Sequence, residues 1–374
     1  MFRLSLRYLA TRFLFLLLAM GSLSVMANGK DKGKSAVGNG KPLDIVFCVD
    51  LSGSTNGLIN DLRDNLWMII NQAQHMEPKP ALRIGVVGFS RPSFGKDNAY
   101  VKILVPLTPN FDFVVSELYK LKPSIEKGDQ IVSAALRACV NDMKWTDRSG
   151  AVKLVYLVGN GMVGGADMQY VKYCEQAREN GIVIHSLYVM KSANWFKELI
   201  GWRRIATITG GMQSEVIVNK PDNLIVFPSV KGDLKSINDK YNATFLWSGI
   251  DSVNCRHAME GSDSGAFYAT PDAFLNRLYL KSSENYKHNY NDCDIVANST
   301  LLSAEIGGDV SSAYQLRLKE LFQAREQIRI QMQQQFSKAD LDAIQKQYTE
   351  GTIADSGVLH RCVLNILYRA WGLR

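Results

Sequence analysis

Asp50, Ser52 and Ser54 place one carboxylate and two hydroxyls at alternate positions, within the stretch DIVFCVDLSGSTNG that runs from Asp44 to Gly57. Hard oxygen donors of this kind suit a magnesium-sized cation, which is held by one or two carboxylates plus neutral oxygens and parts reluctantly with its water. Two hydroxyls spaced i, i+2 across a turn can face one ion, while the carboxylate anchors the ion or a water bound to it. One coordination position is then free for an outside ligand.

The elements on either side set this triplet at a sheet edge. Ile45, Val46, Phe47, Cys48 and Val49 form an apolar, β-branched run that ends abruptly in Asp50. Beyond Asn56, apolar residues at Leu58, Ile59, Leu62, Leu66, Ile69, Ile70 and Ala73 have helical spacing. A strand therefore runs into an oxygen-lined loop and then a helix, the edge at which open α/β sheets bind ligands. The alternation continues to about Val218. Strands are expected at 82–90, 100–107, 152–159, 182–190 and 215–218, and helices at 111–121, 131–143, 168–180 and 195–209. The pattern predicts an α/β fold with a doubly wound, mostly parallel sheet.

DxSxS at the end of the first strand of such a domain resembles the metal-ion-dependent adhesion site of von Willebrand factor type A domains, and the likeness extends over residues 43–218. The resemblance implies further ligands from two loops, here Asp129 and Asn160. It also implies Mg²⁺, or Mn²⁺ or Ca²⁺, as the ion, and a partner protein whose acidic side chain completes the shell. Two departures stand out. Glu126-Lys127-Gly128-Asp129 replaces the usual Gly-Gly-Thr, and Gly159-Asn160-Gly161 replaces Thr-Asp-Gly. A branch of bacterial and alpha-kinase-associated type A domains is similar to this chain in placing Gly-Asp at the first of these loops. Asp50 with Asp129 still gives two carboxylates, which repel unless a cation lies between them.

Other motifs carry less. Gly159, Gly161 and Gly164 spell GxGxxG, but no acid follows the next strand to hold a ribose, and this is not the first βα unit, so no nucleotide is expected. His75, His185, His257, His288 and His360 are scattered without zinc spacing, and neither a GxSxG elbow nor a P-loop occurs. Trp195, Phe196, Leu199, Ile200 and Trp202 read mostly as core or helix-to-sheet seam. No enzyme activity is expected.

The chain has 374 residues, 46% of them apolar, and a formal charge of +7. Without basic runs interleaved with aromatics, nothing points to nucleic acid. Residues 1–27 follow the plan of a signal peptide cleaved after Ala27, which makes the protein secreted or periplasmic; left uncleaved, the same run would anchor it to a membrane. Loss of Arg3, Arg7 and Arg12 with that segment lowers the charge to about +4. Residues 28–42, Gly- and Lys-rich, read as a flexible linker.

A type A domain is then expected over 43–228 and a helical C-terminal region over 229–374. That region should contain helices at 234–243, 272–282 capped by Thr270, 312–336 and 358–371, with a capping box at Ser337 and Asp340. Of six cysteines, Cys48, Cys139 and Cys174 read as buried hydrophobes, and Cys255 and Cys293 as the better candidates for a disulfide, with the pairing left open. The functional expectation is an exported binding protein that works through a divalent cation. The alternative is a structural scaffold whose metal site has degenerated and which binds through its helical region.

Overall fold

The computed structural model describes residues 40–122, 131–163, 168–190, 195–219, 233–284, 286, 289–301, 311–338, 342 and 356–373. The signal segment, Asp129, Gly164, Asp340 and the junction expected at 228 lie outside these residues.

Among the described residues a seven-stranded sheet has the order β3-β2-β1-β4-β5-β6-β7. Its strands are β1 (Lys41–Asp50), β2 (Pro80–Phe89), β3 (Lys102–Thr108), β4 (Val152–Gly159), β5 (Ile182–Val189), β6 (Gln213–Val216) and β7 (Ser356–Gly357). All neighbours pair in parallel except β2 and β3, which are antiparallel. The central strand β1 is buried on both faces, which is why its sequence is a continuous apolar run rather than an alternation. Leu43, Ile45, Phe47 and Val49 join one core, and Val46 and Cys48 the other. The expected linker ends earlier than residue 42: Lys41 N donates to Lys79 O at 3.2 Å, and Pro42 already pairs with Ala81.

Two helical layers cover the sheet. Helix α1 (Leu58–Gln74) packs on the first face, beside α2 (Phe111–Lys120). The second face carries α3 (Val132–Arg137), α4 (Tyr170–Glu179) and α5 (Trp195–Thr209). α3 continues as a π-helical turn, Ala138–Asp142, where periodicity predicts a uniform helix.

The C-terminal half supplies α6 (Leu234–Asn242), α7 (Ser252–Ala269), α8 (Pro271–Ser282), α9 (Ser312–Gln333) and α10 (Leu359–Trp371). These helices share the core of the first sheet face, and α10 buries Leu359, Val363, Leu364, Ile366 and Leu367 there. Each such side chain contributes roughly 1.5–3 kcal/mol, so α10 is integral to the α/β core. Just before it, β7 pairs with β6, Glu215 opposite Ser356.

A buried charge network fastens α7 and α8 to α2. The Arg277 guanidinium meets the Asp112 carboxylate at 2.7 and 2.9 Å and donates through Nε to Asp263 at 2.9 Å. Lys281 Nζ donates to the other Asp263 oxygen at 2.6 Å, and the Tyr286 and Tyr290 hydroxyls donate to Asp112. Burial pushes the Asp263 carboxyl up, but Lys281 and Arg277 outweigh it and hold the group well below the usual carboxylate range. Burial is also the main cause that pulls Lys281 down to about 8. Two carboxylates and two cations cancel, which is the condition for keeping them out of water.

Cys255 and Cys293 form a disulfide, as their polar surroundings suggest, and Cys48, Cys139 and Cys174 are buried free thiols.

Candidate metal centre

Asp50 is the last residue of β1 and has no solvent exposure. Its side chain emerges where two parallel neighbours, β2 and β4, flank the strand, and the loop after it folds back at once. Ser52 N donates to Asp50 Oδ1 at 2.9 Å, and Thr55 Oγ1 donates to Asp50 O at 2.8 Å and to Ser52 O at 3.0 Å. Those bonds turn the loop so that the two serines face the same way. Ser52 Oγ and Ser54 Oγ are 2.8 Å apart, and Ser54 Oγ donates to Asn160 Oδ1 at 3.0 Å. Asn160, buried at the end of β4, donates through Nδ2 to Ser54 O at 3.4 Å, which aims its carbonyl oxygen at the hydroxyls.

Four of the five expected site residues, Asp50, Ser52, Ser54 and Asn160, are thus brought together at the carboxyl edge of β1 and β4. Their oxygens fit a small hard cation. In this structure the three neutral oxygens are joined by hydrogen bonds of 2.8 and 3.0 Å, so they converge on one point beside the buried carboxylate. Oxygen-only donors, with no thiolate or imidazole, are the set that magnesium, calcium and manganese prefer. Among the described residues no three His, Cys, Asp or Glu side chains converge, here or elsewhere, and Asp50 is the one carboxylate described at this site.

Gly159 explains part of the GxGxxG spelling. A Cβ at this position would lie 2.6 Å from Asp50 Cβ, 3.1 Å from Trp202 Cη2 and 3.2 Å from Asp50 Oδ2. The glycine is what lets β4 pass beside the buried carboxylate. Gly161, at φ 95°, then makes the turn after Asn160.

Solved structures similar to this chain include von Willebrand factor type A domains. The SpRpn10 VWA domain is 13% identical, over 49% of this chain and 90% of that one, with a TM-score of 0.36. Proximal thread matrix protein 1 from the mussel byssus, solved with a zinc occupied MIDAS motif, is 16% identical, over 47% of this chain and 42% of that one, with a TM-score of 0.34. The manganese-loaded Plasmodium vivax TRAP protein is 17% identical, over 50% of this chain and 66% of that one, with a TM-score of 0.31. The chain thus spans less than half of the mussel protein. No protein-family model and no curated sequence matches it. These are likenesses of fold alone, and the fold class rests on the strand order and on helices covering both sheet faces.

Two positioning residues escape a reading of the sequence. Glu198 in α5 accepts from Gly161 N at 2.7 Å and from the Tyr188 hydroxyl at 2.6 Å, while Trp202 Nε1 donates to Gly161 O at 2.8 Å. The peptide next to Asn160 is therefore held from both sides by one helix. Burial and the Glu198 carboxylate push the Tyr188 phenol up, so it stays a donor. The available signal was an acid and a tryptophan spaced i, i+4 on a helix that follows the site strand. Thr55, which closes the loop on the other side, lay inside DIVFCVDLSGSTNG without being distinguished from its neighbours.

Proposed function

We propose that this protein is an exported, non-enzymatic binding protein that captures an acidic group of a partner protein through a divalent cation. Asp50, Ser52, Ser54 and Asp129 hold the ion, Mg²⁺ or else Mn²⁺ or Ca²⁺, and Asn160 serves as an outer ligand. The observation that carries this reading is the convergence of the Ser52, Ser54 and Asn160 oxygens beside a buried carboxylate at the carboxyl edge of the sheet. The Cys255–Cys293 disulfide supports export, because such bonds persist in oxidising compartments.

The ion supplies a Lewis-acidic point charge with an exchangeable position; the protein supplies orientation. Ser52 N fixes the Asp50 carboxylate, and Glu198 fixes the loop of Asn160. Calorimetric titration of Mg²⁺ into the native protein and into Asp50→Ala tests the assignment. The native protein should bind one ion and melt at higher temperature with Mg²⁺ than with chelator, and the variant should do neither. Equal behaviour of the two proteins would overturn the metal centre, and binding would then belong to the helical C-terminal half.

A further inference from the structure

The outer face of α5, the helix that clamps the Asn160 loop, carries a pattern the cation site does not use. Phe196 and Ile200, one turn apart, are 68% and 72% exposed, and Met162, two residues beyond Asn160, is 62% exposed. Lys197, Arg203 and Arg204 surround them and are exposed too. None of these three makes an ion pair with a carboxylate among the described residues. The acid of this segment, Glu198, is turned inward and occupied by Gly161 and Tyr188.

Helical geometry gathers positions 196, 197, 200, 203 and 204 into an arc of about 120°, over about 12 Å of helix axis. The result is a strip with an apolar centre and cationic margins. Its first turn lies against the loop that supplies Asn160, because Trp202 and Glu198 both bond Gly161, and Gly201 packs directly on Val163. One partner can therefore span the cation and the strip.

We propose that this strip docks an acidic protein segment with apolar anchors, and that the same segment delivers its carboxylate to the cation. The inference rests on the metal-centre reading and adds the chemistry of the partner. Phe196, Ile200 and Met162 receive apolar side chains, and Lys197, Arg203 and Arg204 receive further carboxylates. Charge complementarity decides the sign, since the outward-facing side chains of the strip include no acid. Continuity with the cation decides the class of partner: a protein segment that reaches the Asn160 loop meets α5 at once, since Glu198 and Trp202 both bond Gly161, whereas a lipid surface would find only two anchors on α5.

Two fluorescent peptides of equal charge serve as probes, Asp-Gly-Leu-Phe-Glu-Glu and Asp-Gly-Ser-Ser-Glu-Glu, titrated by anisotropy in Mg²⁺. The first should bind the native protein about tenfold more tightly than the second. That preference should vanish in the double variant Phe196→Ser and Ile200→Ser. Both peptides should weaken about tenfold or more in Arg203→Glu with Arg204→Glu, with Mg²⁺ titration unchanged in both variants. Equal affinities for the two peptides, no binding of either, or face variants that bind like the native protein would overturn the strip. Asp50→Ala separates the two readings. Loss of Mg²⁺ dependence with the Leu-Phe preference intact bears out the strip, whereas Mg²⁺-dependent capture that ignores the face variants refutes the strip and leaves the metal centre standing. Sedimentation of the native protein but not the face variants with phosphatidylglycerol vesicles, without peptide discrimination, would also overturn it, in favour of a lipid surface.

Discussion

Replacing Gly159 by Ala adds one methyl group at the point where the buried carboxylate and the sheet come closest. The new Cβ would stand 2.6 Å from Asp50 Cβ and 3.1 Å from Trp202 Cη2. Carbon atoms pack at about 3.5–4.0 Å, so the two strands or the Asp50 side chain must give way by about 1 Å. The ladder of β1 and β4 ends at Val49↔Val158, and Asp50 Cβ is fixed to its own backbone, so the end of β1 must shift and carries the carboxylate with it. Overpacking of this kind costs about 1–3 kcal/mol, less than the 5–15 kcal/mol typical of a folded domain. The variant should therefore fold with a lowered melting temperature. A shift of that size greatly exceeds the roughly 0.2 Å tolerance of a metal shell. Affinity for Mg²⁺ should fall by at least about 10–100-fold, the loss usual even for partners one layer further out. Titration calorimetry reads the affinity, and thermal unfolding with and without chelator reads the stability. A folded Gly159→Ala protein that binds Mg²⁺ like the native one would refute the placement of Asp50 in the shell.

Three other perturbations test the frame around the site. Arg277→Met leaves Asp112 and Asp263 buried with a single cation between them, and denaturant unfolding should show a loss of about 3–5 kcal/mol; a loss under about 1 kcal/mol would mean that the network is not a joint. His185 is buried in β5 and accepts from Met212 N through Nδ1, and burial pulls its pKa down to about 4. Since the folded state refuses a proton that the unfolded chain takes up near 6.5, this stability is complete above about pH 6.5 and is lost as pH falls toward 4, by about 3 kcal/mol. Burial pushes Asp61 up to about 6 and acts in the opposite sense over the same window, so the effect is read as the difference between native and His185→Gln melting curves, and parallel curves would refute it. Cys255→Ser opens a disulfide across 38 positions, for which loop entropy gives about 4 kcal/mol; an unchanged melting temperature would show that the helices need no covalent tie.

Local patterns carried much of the fold. The β1 run and the α1 periodicity sit where the sequence places them, α5 begins at Trp195 and ends at Thr209, and Thr270 Oγ1 accepts from Ala273 N as an N-cap should. What stayed hidden depends on partners distant in sequence. α7 reads as polar and glycine-broken because its small residues are contact points: a Cβ on Gly265 would fall 2.2 Å from the Tyr119 ring, and Ser262 Oγ bonds Asp112 O. β7 has two residues and exists only because β6 offers an edge. Arg277 and Lys281, charged residues on α8, gave no sign of full burial, since the carboxylates that compensate them come from α2 and α7. The site followed the same rule. Asp50, Ser52 and Ser54 are neighbours in sequence and legible together, whereas Glu198 acts on Asn160 through Gly161, a peptide whose position only the folded helix reveals.

The charge balance of the centre explains why an asparagine can stand at the end of β4. On the proposed reading, a divalent cation held by the carboxylates of Asp50 and Asp129 would be neutral, and a third carboxylate at position 160 would make the shell anionic before any partner arrived. An amide keeps the oxygen and gives up the charge, and its NH₂ does further work, because Nδ2 bonds Ser54 O and fixes the orientation that a carboxylate would have to share with water. The partner carboxylate of the proposed function would then enter a shell with no surplus negative charge to repel it. Lys197, Arg203 and Arg204 lie on the adjoining helix face, so the field along the edge favours the same sign of ligand that the cation does. In the proposed function, selectivity for acidic partners would thus arise twice, once from what Asn160 lacks and once from what α5 displays.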